Sequence, residues 1–261
     1  MSVTARHFSD VDKAPSPAAY EAYLELAERS APVTALRAHI AQRLGRPPGH
    51  GVDVGCGTGH AVAELRAAGL TVTGLDRSDS LVRTARTRFA VHGCVVGDAM
   101  ALPFPAGRVG WYRAERLLIH LPDAGQALEE ARRVLRPGGR VALADPDFAT
   151  LAVASDHPAT TGPATEAFTE ALADGRAGAH HGALLRRAGF TDLTRSTFRL
   201  AFTTLAEAWP LLMEPACAAG VGAGVLGVEQ VAALRGEQEA RDVLGLVEAS
   251  CAVHVTTALR P

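Results

Sequence analysis

Three glycines at alternate positions, Gly55, Gly57 and Gly59, lie between an apolar run at residues 52–54 and a helical stretch at 61–68, and this feature most restricts how the 261-residue chain can fold. Glycine at such a turn admits φ > 0 and leaves the backbone uncovered by a Cβ, so a ligand can approach the peptide groups. A strand, a glycine turn and a helix in this order belong to an open α/β sheet, whose ligand crevice lies beyond the carboxyl ends of its strands. A mononucleotide P-loop would need Lys and then Ser or Thr after the last glycine, but here His60 and Ala61 follow and the one lysine is Lys13. A dinucleotide fingerprint would place its third glycine at position 60, which is His. A glycine turn with no ligand remains the alternative.

The rest of the chain supports the open sheet. Residues 17–44 read as two helices separated at Pro32, with Tyr20, Tyr23, Leu24 and Ala27, then Val33, Leu36, Ile40 and Leu44, at helical spacing. Strands at 71–75, 94–96, 109–114 and 140–144 alternate with helices at 78–89 and 123–135, the last closed by Pro137-Gly138-Gly139. Parallel neighbours need crossover connections, so this alternation predicts a Rossmann-like, doubly wound, mostly parallel sheet. Beyond Asp145 the pattern weakens: residues 146–178 read as irregular. A helix at 182–188, an extended run ending near Phe202, helices at 205–219 and 228–248 and a final strand at 252–259 follow. The expected organisation is an N-terminal helical segment over 1–49, a sheet core over 50–145, and the rest of the sheet over 146–261. A helical substrate cap precedes the last strand, all within one structural unit.

Composition narrows the partners. Nearly half the residues are hydrophobic, which suffices for a sizeable core, and a net charge of -2 provides no basic field for a nucleic-acid backbone. Cys56, Cys94, Cys217 and Cys251 have neither metal-ligand nor disulfide-framework spacing, so a reducing compartment and no metal are expected. The charged opening at 1–17 lacks an apolar signal core, and the longest uncharged stretch, 216–228, is well short of the roughly 20 residues of a membrane span. A cytoplasmic enzyme, with a homodimer as one option, is the expectation.

Two more strand ends carry chemistry. Asp76 closes the second strand, where a carboxylate can accept from both hydroxyls of a ribose, or simply be solvated. After the third strand, Gly97-Asp98-Ala99-Met100 offers a carboxylate and backbone groups to an adenine edge and a thioether to its face, although Asp98 could equally cap a turn. In these segments the chain resembles the class I S-adenosylmethionine-dependent methyltransferases, in their bacterial small-molecule branch. The resemblance rests on VDVGCGTGH at 52–60, TGLDRS at 73–78, GDAMALPF at 97–104, HLPD at 120–123 and RRVLRPGGRV at 132–141. It implies that S-adenosylmethionine is held by Asp53, Gly55, Gly57, Gly59, Asp76, Arg77, Gly97, Asp98, Ala99, Met100 and Ala114. The glycines would line its methionine and ribose part, Asp76 would hold the ribose, Asp98 and Ala99 would flank the adenine, and Ala114 would stand near the methionine end. One departure is Gly110, where relatives often carry an Asp early in the fourth strand.

Methyl transfer requires alignment and exclusion of water, and a general base only when the acceptor must lose a proton. His120, after the fourth strand, is the candidate base, with Asp145 at the end of the fifth as its orienting partner; the alternative is that His120 only begins the HLPD turn. His180 and His181 read as surface or cap residues rather than a metal pair. Glu115 could bond the cofactor's amino group or the acceptor, or pair with Arg113 or Arg116. Tyr20, Tyr23, Trp209 and Met213 are candidates for an acceptor wall, although such spacing also suits a core. The implied function is methyl transfer to a small molecule, with a secondary metabolite as one option and S-adenosylhomocysteine as product. The rivals are a cofactor-binding protein of this fold that does not methylate, and an NAD(P)-dependent oxidoreductase.

Overall fold

The computed structural model describes residues 11–89 and 93–261. Of the opening expected to lack a signal, residues 1–10 lie outside the described residues. Two helices, α1 (Pro17–Arg29) and α2 (Ala31–Leu44), precede β1 (Gly51–Val54), α3 (His60–Ala67), β2 (Val72–Asp76), α4 (Asp79–Phe89), β3 (Cys94–Val96) and β4 (Val109–Glu115). Next come α5 (Ala124–Val134), β5 (Leu135–Val153), α6 (Pro158–Ala171), α7 (Ala177–Arg187) and β6 (Thr191–Phe202). The chain then runs through α8 (Leu205–Ala208), a π-turn (Trp209–Met213), α9 (Glu214–Gly222) and α10 (Val228–Val243) to β7 (Ala249–Leu259).

The strands form one sheet in the order β3-β2-β1-β4-β5-β7-β6. The first five run parallel, while β7 is antiparallel to both β5 and β6. This is the expected doubly wound α/β sheet. The order reverses between β1 and β4, where the two halves diverge and a crevice opens at the strands' carboxyl ends. β1 and β4 are buried along their whole length, as central parallel strands covered on both faces should be. Gly51 is needed because the Trp111 ring lies where its Cβ would stand, 1.9 Å away. Gly110 is explained in the same way: a Cβ there would come within 2.3 Å of the Pro48 carbonyl.

The helices follow from their apolar faces and caps. Buried Ala127, Leu128, Ala131 and Val134 form one stripe of α5, and the Asp123 carboxylate accepts from the Gln126 N–H at 2.9 Å, a cap worth about 1 kcal/mol. Leu36, Ile40 and Leu44 do the same for α2, whose N-cap is Ser30, so the first two helices divide there, two residues before Pro32. The helices α8 to α10 lie between the last two strands, as expected of a cap. A core of Phe202, Leu211, Leu212, Met213 and Val253 ties them to β6 and β7.

Two differences from the sequence reading matter for the site. β5 continues to Val153, past Pro146, which pairs with Val253 of β7, and its register shifts between Asp147 and Ala152. Residues read as irregular fold into α6, which packs on α9 and starts at Pro158, a position where a missing N–H costs nothing. Among the described residues no helix is long and apolar enough to cross a membrane.

Candidate active site

A cleft with about 200 Å³ of room for the centres of water molecules runs over the carboxyl ends of β2, β1, β4 and β5. Gly55 and Gly57 of the first turn, Asp76 at the end of β2 and Arg77 after it, and Gly97, Asp98, Ala99 and Met100 after β3 all line it. Residues as distant in sequence as Gly57 and Asp98 therefore face a common space, because three parallel strands end side by side.

The glycine turn is open to the cleft where it needs to be. Gly55 and Gly57 have φ of 76° and 51°, and a Cβ built on Gly57 would meet only Leu24, at 3.9 Å. The Asp76 carboxylate stands across this turn and accepts from Gly57 N–H at 2.8 Å and Ser78 N–H at 2.9 Å. Burial pushes its pKa up, against the opposing pull of the Ser78, Gly57 and Arg77 N–H groups. Asp98 accepts from Met100 N–H at 2.8 Å, which fixes the turn after β3 and sets Ala99 and Met100 against the cleft.

Three residues expected at the cofactor lie behind this wall. Gly59, at φ 85°, faces α4 instead: a Cβ there would be 2.7 Å from the Ala85 Cβ, so this glycine lets α3 and α4 approach. Ala114 is fully buried in the sheet core, and it is Glu115, Arg116 and Leu117 that carry the end of β4 into the cleft. Asp53 is 1% exposed and its Oδ1 pairs with the Arg113 guanidinium at 2.5 Å. Alternate residues of a strand point to opposite faces, so the residue two before the turn need not see the ligand.

Asp53 and Arg113 open a chain of paired charges that starts in the buried sheet core and ends at the half-exposed Glu64. Arg113 also pairs with Glu115, Glu115 with Arg116 at 3.2 Å, Arg116 with Glu28, and Glu28 with Arg37 at 2.7 Å, which in turn grips Glu64 at 2.8 Å. Burial pushes the Glu115 carboxyl up, but the guanidinium groups of Arg116, Arg113 and Arg37 outweigh it and hold the carboxyl below its ordinary range. Burial outweighs Arg113 at Asp53, whose pKa is raised. Arg116 has φ 53°, a left-handed backbone that costs a non-glycine residue on the order of 1 kcal/mol and turns its side chain back toward Glu28. Glu115 Oε1 and Arg116 Nε, which face each other at 3.2 Å, make no hydrogen bond of good geometry, and Glu28, Glu115 and Arg116 all line the cleft.

His120 lines the cleft from a 3₁₀ turn, Leu118–His120. Burial pushes its imidazole down to about 4, and the Arg116 charge pushes the same way. The expected pairing with Asp145 is not formed. Asp145 is fully buried and accepts from Leu118 N–H at 3.0 Å and from His181 Nε2 at 2.9 Å. The reason is topological: α7 packs on β5 and brings His181 over the end of the strand. His181 is accordingly fully buried rather than on the surface, while His180 is half-exposed beside Asp174 at 2.7 Å. Asp145 acts on the site through the backbone of Leu118, two residues before His120.

The far end of the cleft is apolar. Leu121, Phe148, Phe168, Leu172 and Pro215 line it, with the Phe148 and Phe168 ring centroids 4.7 Å apart at 58°. Of the proposed acceptor-wall residues only Tyr23 reaches the cleft, with its hydroxyl donating to the Leu211 carbonyl at 3.2 Å. Tyr20 packs with Val11, Ala14 and Leu81, Met213 lies in the cap core, and Trp209 is covered by the Arg235 guanidinium at 4.6 Å. The sequence reading missed Glu28 and the wall from β5, α6 and α9. The one signal available for Glu28 was its acidity five residues beyond Tyr23.

Residues 52–143 match a family described as "Methyltransferase domain". The chain is 37% identical over 139 residues to the methyltransferase GfsG of Streptomyces halstedii, covering 50% of this chain and 48% of that protein. It is 35% identical over 167 residues to the O-methyltransferase cnsE of Penicillium expansum, covering 59% and 57%. The chain thus spans about half the length of these curated relatives. In fold it resembles the Haemonchus contortus phosphoethanolamine N-methyltransferase 2 solved with S-adenosyl-L-methionine. The TM-score is 0.62 at 15% identity, over 99% of this chain and 60% of that one.

Proposed function

We propose, on the premise that residues 52–143 make this chain a member of the class I S-adenosylmethionine-dependent methyltransferases, that the protein transfers a methyl group to a hydroxyl of a small molecule. The observation that carries this reading is the convergence of the Gly55–Gly57 turn, Asp76 and the 97–100 turn on one cleft that continues past His120 into an apolar chamber.

The residues fit the cofactor. The bare backbone at Gly57 leaves room for a nucleoside, Asp76 keeps lone pairs for a ribose diol, and Asp98 with Ala99 and Met100 forms a slot for a flat base. Glu28 and Glu115 would accept from an ammonium, and Arg116 would donate to a carboxylate, which suits an amino-acid zwitterion. Arg77, at the β2 end of the cleft, belongs to the same set.

When bound, S-adenosylmethionine supplies a methyl carbon already activated by a sulfonium charge. The chain's own residues would then align the acceptor and keep water out, with Phe148, Phe168 and Pro215 supplying the apolar wall against which it packs. His120 is neutral at physiological pH and takes the proton that the acceptor hydroxyl gives up, releasing it to solvent once the products have left. Asp145 and His181 hold the His120 turn through Leu118. Residues 1–49, 50–145 and 146–261 act as one unit in this reading, with cofactor over the second and acceptor under the third. The four free, buried cysteines suit a reducing, cytoplasmic compartment.

The test is incubation with S-adenosylmethionine and a panel of hydroxyl-bearing aromatic and aliphatic compounds, followed by mass spectrometry. S-adenosylhomocysteine formed only with an acceptor, in step with a methylated product, supports the reading. Cofactor binding with no product from any acceptor would favour the non-methylating use of the fold.

A further inference from the structure

The chamber beyond His120 is described by what its wall can and cannot pair with. Its apolar wall is Leu121, Phe148, Phe168, Leu172 and Pro215, contributed by the His120 turn, β5, α6 and α9. Among the described residues that line the cleft, the arginine on the β4 side is Arg116, which pairs with Glu28 and Glu115 and in the reading above is taken by the cofactor carboxylate. The other cation of the cleft among the described residues, Arg77, follows Asp76 at the β2 end, on the far side of β1 from β4 and β5. His120 adds a polar but neutral ring, because burial and Arg116 both disfavour its protonation.

Among the described residues of this wall a phosphate or carboxylate would find no counter-charge to replace its lost hydration, and burying an unpaired anion is unfavourable. An uncharged ring gains instead. The Phe148 and Phe168 rings, in contact at 4.7 Å and tilted at 58°, offer aromatic surface in the wall against which a further ring can pack by stacking or edge-to-face contact. We propose that the acceptor is an uncharged, ring-bearing hydroxyl compound, seated against Phe148 and Phe168, and that this chamber selects against phosphorylated or carboxylated acceptors. The inference rests on the methyltransferase reading above and adds the substrate class. Leu172, at the wall and 8% exposed, is the position where a single charge would reverse the preference.

The experiment is equilibrium binding to the full chain saturated with S-adenosylhomocysteine, using 1-naphthol and 1-naphthyl phosphate as a pair that shares one ring system and differs in charge. 1-Naphthol should bind at least tenfold more tightly than its phosphate. Phe168→Leu and Phe148→Leu should each weaken 1-naphthol severalfold and leave S-adenosylhomocysteine affinity within twofold, which also reports that the variants are folded. Leu172→Arg should narrow or invert the naphthol preference. Equal or tighter binding of the phosphate to the unaltered protein, or 1-naphthol affinity indifferent to both phenylalanine variants, would overturn the inference. Failure of S-adenosylhomocysteine itself to bind would overturn the reading beneath it.

Discussion

Replacing Arg113 by Met should remove more stability than any surface charge of this protein can, and the reason lies in what remains behind. Arg113 is 3% exposed and bridges Asp53 and Glu115, themselves 1% and 9% exposed. Methionine fills much of the same volume, so the packing loss is small and the loss is mainly electrostatic. Breaking a buried pair by removing one partner costs about 3–5 kcal/mol, because the surviving charge is left without compensation. Two carboxylates survive here, but Glu115 retains Arg116, so the expected loss stays near that range rather than doubling. The pH dependence has a definite sign. Asp53 is already raised by burial and would rise further without Arg113, so the folded variant would bind a proton that the unfolded chain releases at a lower pH. Stability of the variant therefore falls as pH rises through the unfolded carboxylate range toward the folded pKa, and the deficit relative to the unaltered protein shrinks on acidification. Urea unfolding at several pH values measures this, and Asp53→Asn added to Arg113→Met should recover part of the loss. A deficit below about 1 kcal/mol at neutral pH, or one that grows on acidification, would refute the claim that this network is a coupled, buried charge chain.

Other expectations follow from the same structure. Asp76→Ala should weaken S-adenosylhomocysteine by about 1–3 kcal/mol in a calorimetric titration, since the ribose hydroxyls lose their acceptor and the Gly57 N–H loses its partner. His120→Ala should leave cofactor affinity intact and slow turnover on the order of 10²–10⁴-fold. In the unaltered protein the rising acid limb of the rate profile should lie at about 4, not in the ordinary imidazole range, because the base must be unprotonated and its pKa is held at about 4. Glu237 is pushed up by partial burial, but Ser155, the Asp156 N–H and Arg241 outweigh this and bring it down to about 2. Its contribution is therefore present above the unfolded carboxylate pKa and lost as pH falls toward about 2. Glu237→Gln should cost about 1 kcal/mol after solvent screening, by thermal unfolding at pH 7, and nothing at pH 2.

The parts of the fold written in local pattern are legible in the sequence. The glycine turn, Asp76 and the 97–100 turn each follow a short strand, and parallel pairing with crossovers leaves little freedom in where they meet. The cap between β6 and β7 is legible for the same reason, from helical spacing between two extended runs. What the sequence hides is nonlocal. Asp145 is expected beside His120, but its partner is His181, 36 positions on, delivered by the packing of α7 on β5. The strand reads as ending at 144 because the regular pattern stops beyond Asp145, yet β5 continues through Pro146, which cannot donate to the ladder, to Val153. Pro158 and Pro163, with several threonines, hide α6 behind a composition typical of loops. Phe148 and Phe168, which meet at the wall of the acceptor chamber, lie in these two misread segments. The cofactor side is therefore legible from motifs, while the acceptor side depends on tertiary packing.

The central claim is that the cleft over β1 to β3 is built for S-adenosylmethionine, and titration calorimetry of the purified chain against S-adenosylmethionine, S-adenosylhomocysteine, NADH and NADPH tests it most directly. The account predicts micromolar binding of the two sulfur nucleosides and none of the nicotinamides. Binding of the nicotinamides alone would contradict it, and binding of neither would show that the convergence of the three turns does not make a nucleoside site.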